Sequence, residues 1–385
     1  MTNDAISAVF IEPLDLLVLR GNRLFAGAGV HGEALMPPWP SVAAGSLRSR
    51  MLVDAQVSLS SFARGAVTLP GSLGEVLGSP SAPGSFRIRH FGLARRCGAS
   101  LEVLHGLPMD LASLEHSLVL VQPRALPPGV LSSYPLASLP MLGGTQARKQ
   151  NRQRWLTPEG FSLWRAGQPV PVRCSVPADE LWTLDSRLGI GTDWRKGTVI
   201  DGALYTTEAV AMKPGVGFVA AVHGVGGHLP ANGLLRFGGD GRGAAIEPMC
   251  FDPMHQPSAP IEDGRFRLLL TTPGIFPGGW RLPGLCADGT WHFAGGHARL
   301  VAASADRLQT LSGWDLARGA PKPAVRAVPA GAVYWFDCLE GDVSALQAHV
   351  ARGLSLDDPA RRAEGFNNCL LAAWPQVRTP DSRPN

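Results

Sequence analysis

The 385-residue sequence is poor in charge, in lysine and in tyrosine, and these shortages narrow what the chain can be. Charged residues make up 17%, against about a quarter in an ordinary soluble domain. With 45% hydrophobic residues beside that, a disordered acidic or basic tail is excluded and a sizeable core is affordable. No apolar run approaches the roughly 18 residues of a membrane-spanning helix, so no membrane partner is expected. The first 20 residues carry Asp4, Glu12 and Asp15 and lack a basic start, so no secretory signal is expected either. The six cysteines (Cys97, Cys174, Cys250, Cys286, Cys338, Cys369) form no CxxC pair, and none stands near a histidine at zinc spacing. They read as reduced thiols in a cytoplasmic protein.

Signatures of catalysis are missing as well. There is no GxxxxGK[ST] loop, no GxSxG and no HExxH. His223 and His228, like His292 and His297, are five residues apart with glycines between, a spacing that does not put two ligands on one helix face, so no metal is expected. The run Phe237-Gly238-Gly239-Asp240-Gly241-Arg242-Gly243 echoes a dinucleotide loop, yet Glu247 and Pro248 follow where a helix should begin. No cofactor is expected. His31, in the loop Gly29–Gly32, is the one general base weighed for RNA cleavage, and no acid is identifiable beside it. A non-enzymatic role is the expectation.

What is abundant is glycine and proline, 46 and 33 residues, which implies many tight turns between short elements. Only Lys149, Lys196, Lys213 and Lys322 are lysines among 35 basic residues. Arginine forks suit phosphates and base edges, although a GC-rich genome produces the same bias. A net charge of +4 is mild, so a nucleic-acid surface must come from local clustering. Residues 6–20 read as a strand buried on both faces, followed by a glycine-rich loop and a helix over Val42–Leu52 with Ser41 as N-cap. Residues 55–145 read as turn-rich, with a short strand at Ser117–Val121. A short helix is expected over Trp155–Arg165 and a domain break at Pro169–Pro171. Further expectations are a hairpin at Asp185–Tyr205, strands at Val216–Val222 and Phe266–Thr271, and a helix at Asp342–Gly353.

Four segments carry binding chemistry. Ser41, Gly45 and Arg48 share one helix face, where Gly45 either packs against a sheet or admits a close approach. The basic run Arg148, Lys149, Arg152 and Arg154 contains no acid and reads as a solvated loop or a phosphate-binding arm. The glycine loop Pro273–Trp280 reads as a structural turn or as a path for a single strand, with Gly274, Gly278 and Gly279 offering backbone N–H groups and Phe276 a stacking face. Phe276, Trp280 and Trp291 are the expected anchors for a protein partner. The loop 237–243 reads as a turn whose backbone approaches a partner or RNA.

Taken together and in order, these segments resemble a known family. Glu12-Pro13-Leu14-Asp15 through Leu19-Arg20-Gly21-Asn22-Arg23 and Phe25 is similar to the first strand of the Cmr-type RAMP subunit of type III-B CRISPR effector complexes. Pro37-Pro38 through Arg48, Arg187-Leu188-Gly189-Ile190-Gly191 with Asp193, Gly202–Glu208, Phe237–Arg242, Thr272–Trp280 and Gly365-Phe366-Asn367-Asn368 through Trp374 continue the match. Residues 55–145, sparse in charge, do not align. The resemblance implies an α+β protein of two ferredoxin-like, RRM-related domains with glycine-rich loops, at residues 1–170 and 171–385. It implies a non-catalytic subunit that holds the 5′ tag of the guide RNA in antiviral defence. Its partners would be the large polymerase/HD-type subunit and the backbone subunits, with target RNA met indirectly. The RNA-binding residues on this reading are Arg20, Asn22, Arg23, Ser41, Gly45, Arg48, Arg148, Lys149, Arg152, Arg154, Arg187, Arg242, Gly274, Phe276, Gly278 and Gly279. The alternatives are a RAMP endoribonuclease using His31 and the equivalent subunit of a type III-A complex.

Overall fold

Alternating apolar residues make Ser7–Pro13 (β1) a strand with two dry faces: Val9 and Ile11 enter one core, Phe10 another. The computed structural model describes residues 6–19, 31–114, 117–142, 153–193, 195–253, 259–315 and 319–375. β1 ends at Pro13, short of the expected Arg20, and the chain leaves the sheet with Leu17 bridged to Val210. Helix α1 spans Pro40–Asp54 and buries Ala43, Ala44, Leu47, Met51 and Leu52. Its N-cap is Trp39, with Pro40 in the first turn, and no side chain caps it. Ser41 therefore lies inside the helix, because Pro40, pre-set at helical φ, starts the helix earlier than the expected cap.

The stretch expected to be turn-rich holds two strands of the main sheet, Arg87–Cys97 (β2) and Ser100–Gly106 (β3). β2 hides from a period-2 reading because its register against the neighbouring strand skips Arg89: Ala221 pairs His90 and Val222 pairs Ile88. That bulge shifts the phase, so Ile88, Phe91 and Leu93 all reach the same core. Then come Arg154–Leu156 (β4), helix Pro158–Arg165 (α2), Ser175–Pro177 (β5), Trp182–Asp193 (β6), Thr198–Met212 (β7), Val216–His223 (β8), Gly233–Arg236 (β9) and Gly243–Met249 (β10). α2 starts as expected, with the Thr157 hydroxyl accepting from the Gly160 amide at 3.3 Å. The first sheet runs β5-β4-β3-β2-β8-β1-β10-β9, antiparallel throughout.

The second sheet is built from Phe266–Leu270 (β11), Thr290–Phe293 (β12), Gly296–Ser304 (β13), Val333–Gly341 (β14) and Cys369–Ala373 (β15), in the antiparallel order β12-β13-β14-β11-β15. Between its last two strands lie helices Val343–Arg352 (α3), capped by the Asp342 carboxylate, and Pro359–Ala363 (α4). The break expected at Pro169–Pro171 does not part the sheets, since β4 before it pairs β5 after it and the second sheet begins only at Phe266. Both sheets nonetheless share one strand order. β2-β8-β1-β10 in the first and β13-β14-β11-β15 in the second place the four strands alike, α1 following the first strand in one half and α3 the third strand in the other.

A separate core joins the halves. Phe161 and Trp164 of α2 pack on Leu269, Val333, Trp335 and Ala372 of the second sheet. At its centre Arg267 and Asp110, both 0% exposed, form an ion pair at 2.5 Å.

Candidate nucleic-acid interface

The longest feature outside the cores is the hairpin of β6 and β7, with the turn around Gly197 that glycine's positive φ of 64° permits. Leu188, 69% exposed, lies on the same face as Ile190 and its partner Leu204, both also exposed, so one face of the hairpin is apolar and uncovered. The opposite face is polar: Asp185 and Arg187 pair at 2.8 Å, and the Tyr205 ring lies over Gly189, where no Cβ would fit. Thr206 and Thr207 pair in parallel with His31 and Gly32, which brings the exit of the first glycine-rich loop alongside the hairpin.

The loop 237–242 closes as a tight turn between β9 and β10, with the Phe237 amide donating to the Arg242 carbonyl at 2.8 Å. Gly239 donates to the Val18 carbonyl at 2.8 Å, and Arg242 is held by Asp15 at 2.7 Å. This loop buttresses the chain leaving β1, and its approach is to its own backbone. In the loop after β11, Phe276 is buried in the second core, and its ring fills the space a Cβ on Gly274 would need. Gly278 packs against Arg281, and Gly279 turns at φ 71°. Phe276 therefore offers no free face to a base. Trp291 is fully buried in the same core, and Trp280 packs against it with its carbonyl accepting from the Tyr334 hydroxyl at 2.7 Å. Of the aromatic anchors expected for a partner, Phe276 and Trp291 are thus core residues and Trp280 is half-buried, whereas Leu188, Ile190 and Leu204 of the hairpin are exposed.

Arg154 leaves the expected basic arm as well. It lies on β4, donating to the Ser175 hydroxyl at 2.9 Å and the Ser175 carbonyl at 3.2 Å across the β4–β5 pair. Arg20, Asn22, Arg23, Arg148, Lys149 and Arg152 lie outside the described residues. On α1, Gly45 is exposed with open space where a Cβ would stand. It does not pack on the sheet. Arg48 stacks on Phe86 at 5.5 Å, and burial lowers its pKa against the opposing pull of Glu364. Glu364 in turn holds Lys322, and Arg361 at 3.2 Å.

This corner is a basic seam that sequence reading missed. α4 packs against β2, setting Arg362 beside Arg87 and Arg89. Burial lowers the pKa of both β2 arginines, and neighbouring arginines lower them further. The Gly365–Asn368 run makes this junction. Gly365, at φ 93°, sits against Ile88, and the Asn368 amide donates to the Ile88 carbonyl at 3.2 Å and the Gly365 carbonyl at 3.0 Å. Asn367, also at positive φ, accepts from the Ile275 amide at 2.7 Å and fastens the loop after β11. The signal in the sequence was Arg87 and Arg89 two apart, but their strand was not recognised.

Histidines are distributed differently from what helix spacing implies. His292 and His297 face each other across the β12–β13 pair with ring centroids 5.7 Å apart, since a hairpin brings together residues that a helix separates. Even so, among the described residues no three His, Cys, Asp or Glu side chains are grouped to hold a metal. No described helix is long and apolar enough to cross a membrane.

Two antiparallel sheets with few helices, joined along a basic seam and bearing one long uncovered hairpin, define a strand-rich α/β scaffold. Within that class the chain belongs to the Cas_Cmr3 family of CRISPR-associated proteins, whose family model it matches over residues 9–374. No curated protein matches it. Among solved structures it is similar to a chain of the type III-B Cmr-beta complex bound to cognate target RNA, at 16% identity over 94% of this chain and 96% of that one, with a TM-score of 0.48. It is similar to a chain of the same complex with cognate target RNA and AMPPnP at 17% identity, over 85% and 86%, with a TM-score of 0.45. A chain of the apo state matches at 11% identity over 64% and 98%, with a TM-score of 0.27.

Proposed function

We propose that this chain is a structural, non-catalytic subunit of a type III-B CRISPR effector complex that binds the 5′ tag of the guide RNA and docks the large subunit. On this reading each sheet is a ferredoxin-like unit, one retaining the first crossover helix and the other the second. Family membership supplies the complex. The observation that carries the binding role is the β6–β7 hairpin, whose apolar face is uncovered and whose β7 runs beside the exit of the glycine-rich loop. Apolar side chains meet bases without reading an edge, Arg187 supplies a cation that can exchange Asp185 for a phosphate, and glycine backbone admits a single strand closely.

The test is fluorescence anisotropy with tagged and tag-scrambled guides. Replacing Leu188 and Ile190 by serine removes the exposed apolar face without touching either core, and weakens guide binding by up to about 1.5–3 kcal/mol for each side chain the RNA buries. Gly45→Trp places a large side chain on the open face of α1 and weakens tagged RNA more than scrambled RNA. Purified protein is expected to leave repeat RNA intact. Metal-independent cleavage abolished by His31→Ala would promote the endoribonuclease reading in its place. Guide binding unchanged in both the serine variant and Gly45→Trp would remove the hairpin and α1 from the tag path.

A further inference from the structure

The outer hairpin of the second sheet sets two imidazoles side by side. His292 on β12 and His297 on β13 are direct cross-strand partners. The His292 amide donates outward to the Gly284 carbonyl at 3.0 Å, so the two residues form a pair without mutual backbone hydrogen bonds. In such a pair the Cα atoms stand only about 4.5 Å apart and the side chains come closest. The ring centroids are 5.7 Å apart, with the planes 37° from parallel. Both rings reach solvent, and among the described residues no hydrogen bond holds either one.

Carboxylates flank the pair. Glu340 of β14 is the partner of His297 on its other side, and its Oε2 lies 3.5 Å from the His297 Nε2. The Thr290 amide donates to the Asp288 carboxylate at 2.9 Å. Hydrogen bonds from Thr290 and, after them, the charge of His292 lower the Asp288 pKa, so this carboxylate is within electrostatic reach of His292. Arg299, two residues along β13 on the same face, is held by both oxygens of Asp337 at 2.9 Å, so its charge is already met.

These spacings suit a cation. Imidazole nitrogens about 2.0–2.1 Å from one tetrahedral ion bring their ring centroids to roughly 5 Å, so the pair must close by about half an ångström. A small turn of two solvent-reaching rings supplies that. Ligand atoms on such an ion stand about 3.4 Å from each other, close to the His297–Glu340 separation. The three side chains are not gathered round one point as they stand, so the arrangement is a two-nitrogen clamp with a carboxylate in reach and not a closed cage.

We propose that His292 and His297 form an exchangeable site for a late first-row divalent cation of the zinc, nickel or copper kind, with Glu340 turning in as an auxiliary oxygen ligand. Imidazole favours these ions over magnesium, calcium or manganese, which prefer oxygen donors. A bound ion clips β12, the edge strand of the second sheet, to β13 and leaves its remaining positions to water. The site is independent of guide binding.

The full chain, stripped with EDTA and exchanged into metal-free buffer, is titrated calorimetrically with nickel chloride, and its copper(II) form is examined by electron paramagnetic resonance. The expected results are micromolar nickel binding, no binding of magnesium, and a copper spectrum with two nitrogen ligands. His292→Gln and His297→Gln each weaken nickel binding about tenfold or more and remove one nitrogen from the copper spectrum. Glu340→Gln weakens nickel less and keeps both nitrogens. In EDTA these variants keep the wild-type melting midpoint, because the replaced side chains reach solvent; a variant that melts lower is replaced by its His→Asn counterpart, with the same loss expected. Nickel raises the midpoint of wild type and not that of the joint histidine variant. Nickel affinity unchanged in either histidine variant, magnesium bound as tightly as nickel, or a copper spectrum without two nitrogens overturns the proposal.

Discussion

Asp110→Ala is expected to loosen the joint between the two halves more than any comparably small change. The Arg267 guanidinium donates to Asp110 at 2.5 Å, to the Trp164 carbonyl at 2.6 Å and to the Ala373 carbonyl at 2.7 Å, and it stacks 4.4 Å from the Trp164 ring. Asp110 also accepts from the Trp164 indole at 2.8 Å. Burial pushes the Asp110 carboxyl up and the Arg267 guanidinium down, and their pairing opposes both shifts. Removing the carboxylate strands a guanidinium that is wholly out of water, a loss of about 3–5 kcal/mol, and orphans the indole N–H within the same total. At 2–4 °C per kcal/mol for a cooperative unit of about 150–250 residues, the midpoint falls by roughly 6–20 °C. The assay is urea and thermal unfolding followed by tryptophan fluorescence, since Trp164 sits in the perturbed core. Adding Arg267→Met to Asp110→Ala removes the stranded charge, so the double variant recovers at least about 1 kcal/mol relative to Asp110→Ala alone. A loss below about 1 kcal/mol for Asp110→Ala, or strict additivity of the two changes, refutes the reasoning.

Acid should weaken the fold through the seam histidines. Burial lowers the His90 pKa to about 4 and that of His105 well below its ordinary value, so the unfolded chain takes up these protons first. Their contribution to stability is complete above about pH 6.5 and declines toward pH 4. A pH series of melting midpoints checks this, and His90→Gln should flatten the decline. Glu364→Ala leaves Arg361, 6% exposed, without its carboxylate and frees Lys322, for an expected loss of about 2–4 kcal/mol in chemical denaturation. Gly365→Ala combines a φ of 93° with a Cβ only 2.8 Å from that of Ile88, for an expected loss of about 1–3 kcal/mol in the same assay.

Local chemistry set much of the architecture from the sequence alone. Thr157-Pro158 marks α2, Asp342 marks α3, and the apolar runs at 216–222 and 266–270 are strands, because caps and continuous burial act over a few residues. The ordered motifs also placed the chain in its family. Everything that depends on what lies across the fold was decided only in three dimensions. β2 was illegible because a bulge at Arg89 breaks its alternation, and Pro169–Pro171 looked like a linker because nothing local says that β4 pairs β5. Phe276 and Trp291 stand in glycine loops like free anchors, yet the second sheet covers them, and Gly365-Phe366-Asn367-Asn368 is a joint to Ile88, 280 residues from Asn368 along the chain. The seam of Arg87, Arg89 and Arg362 has no signature at any spacing, since electrostatic crowding depends on distance in space and these residues come from two different sheets' elements.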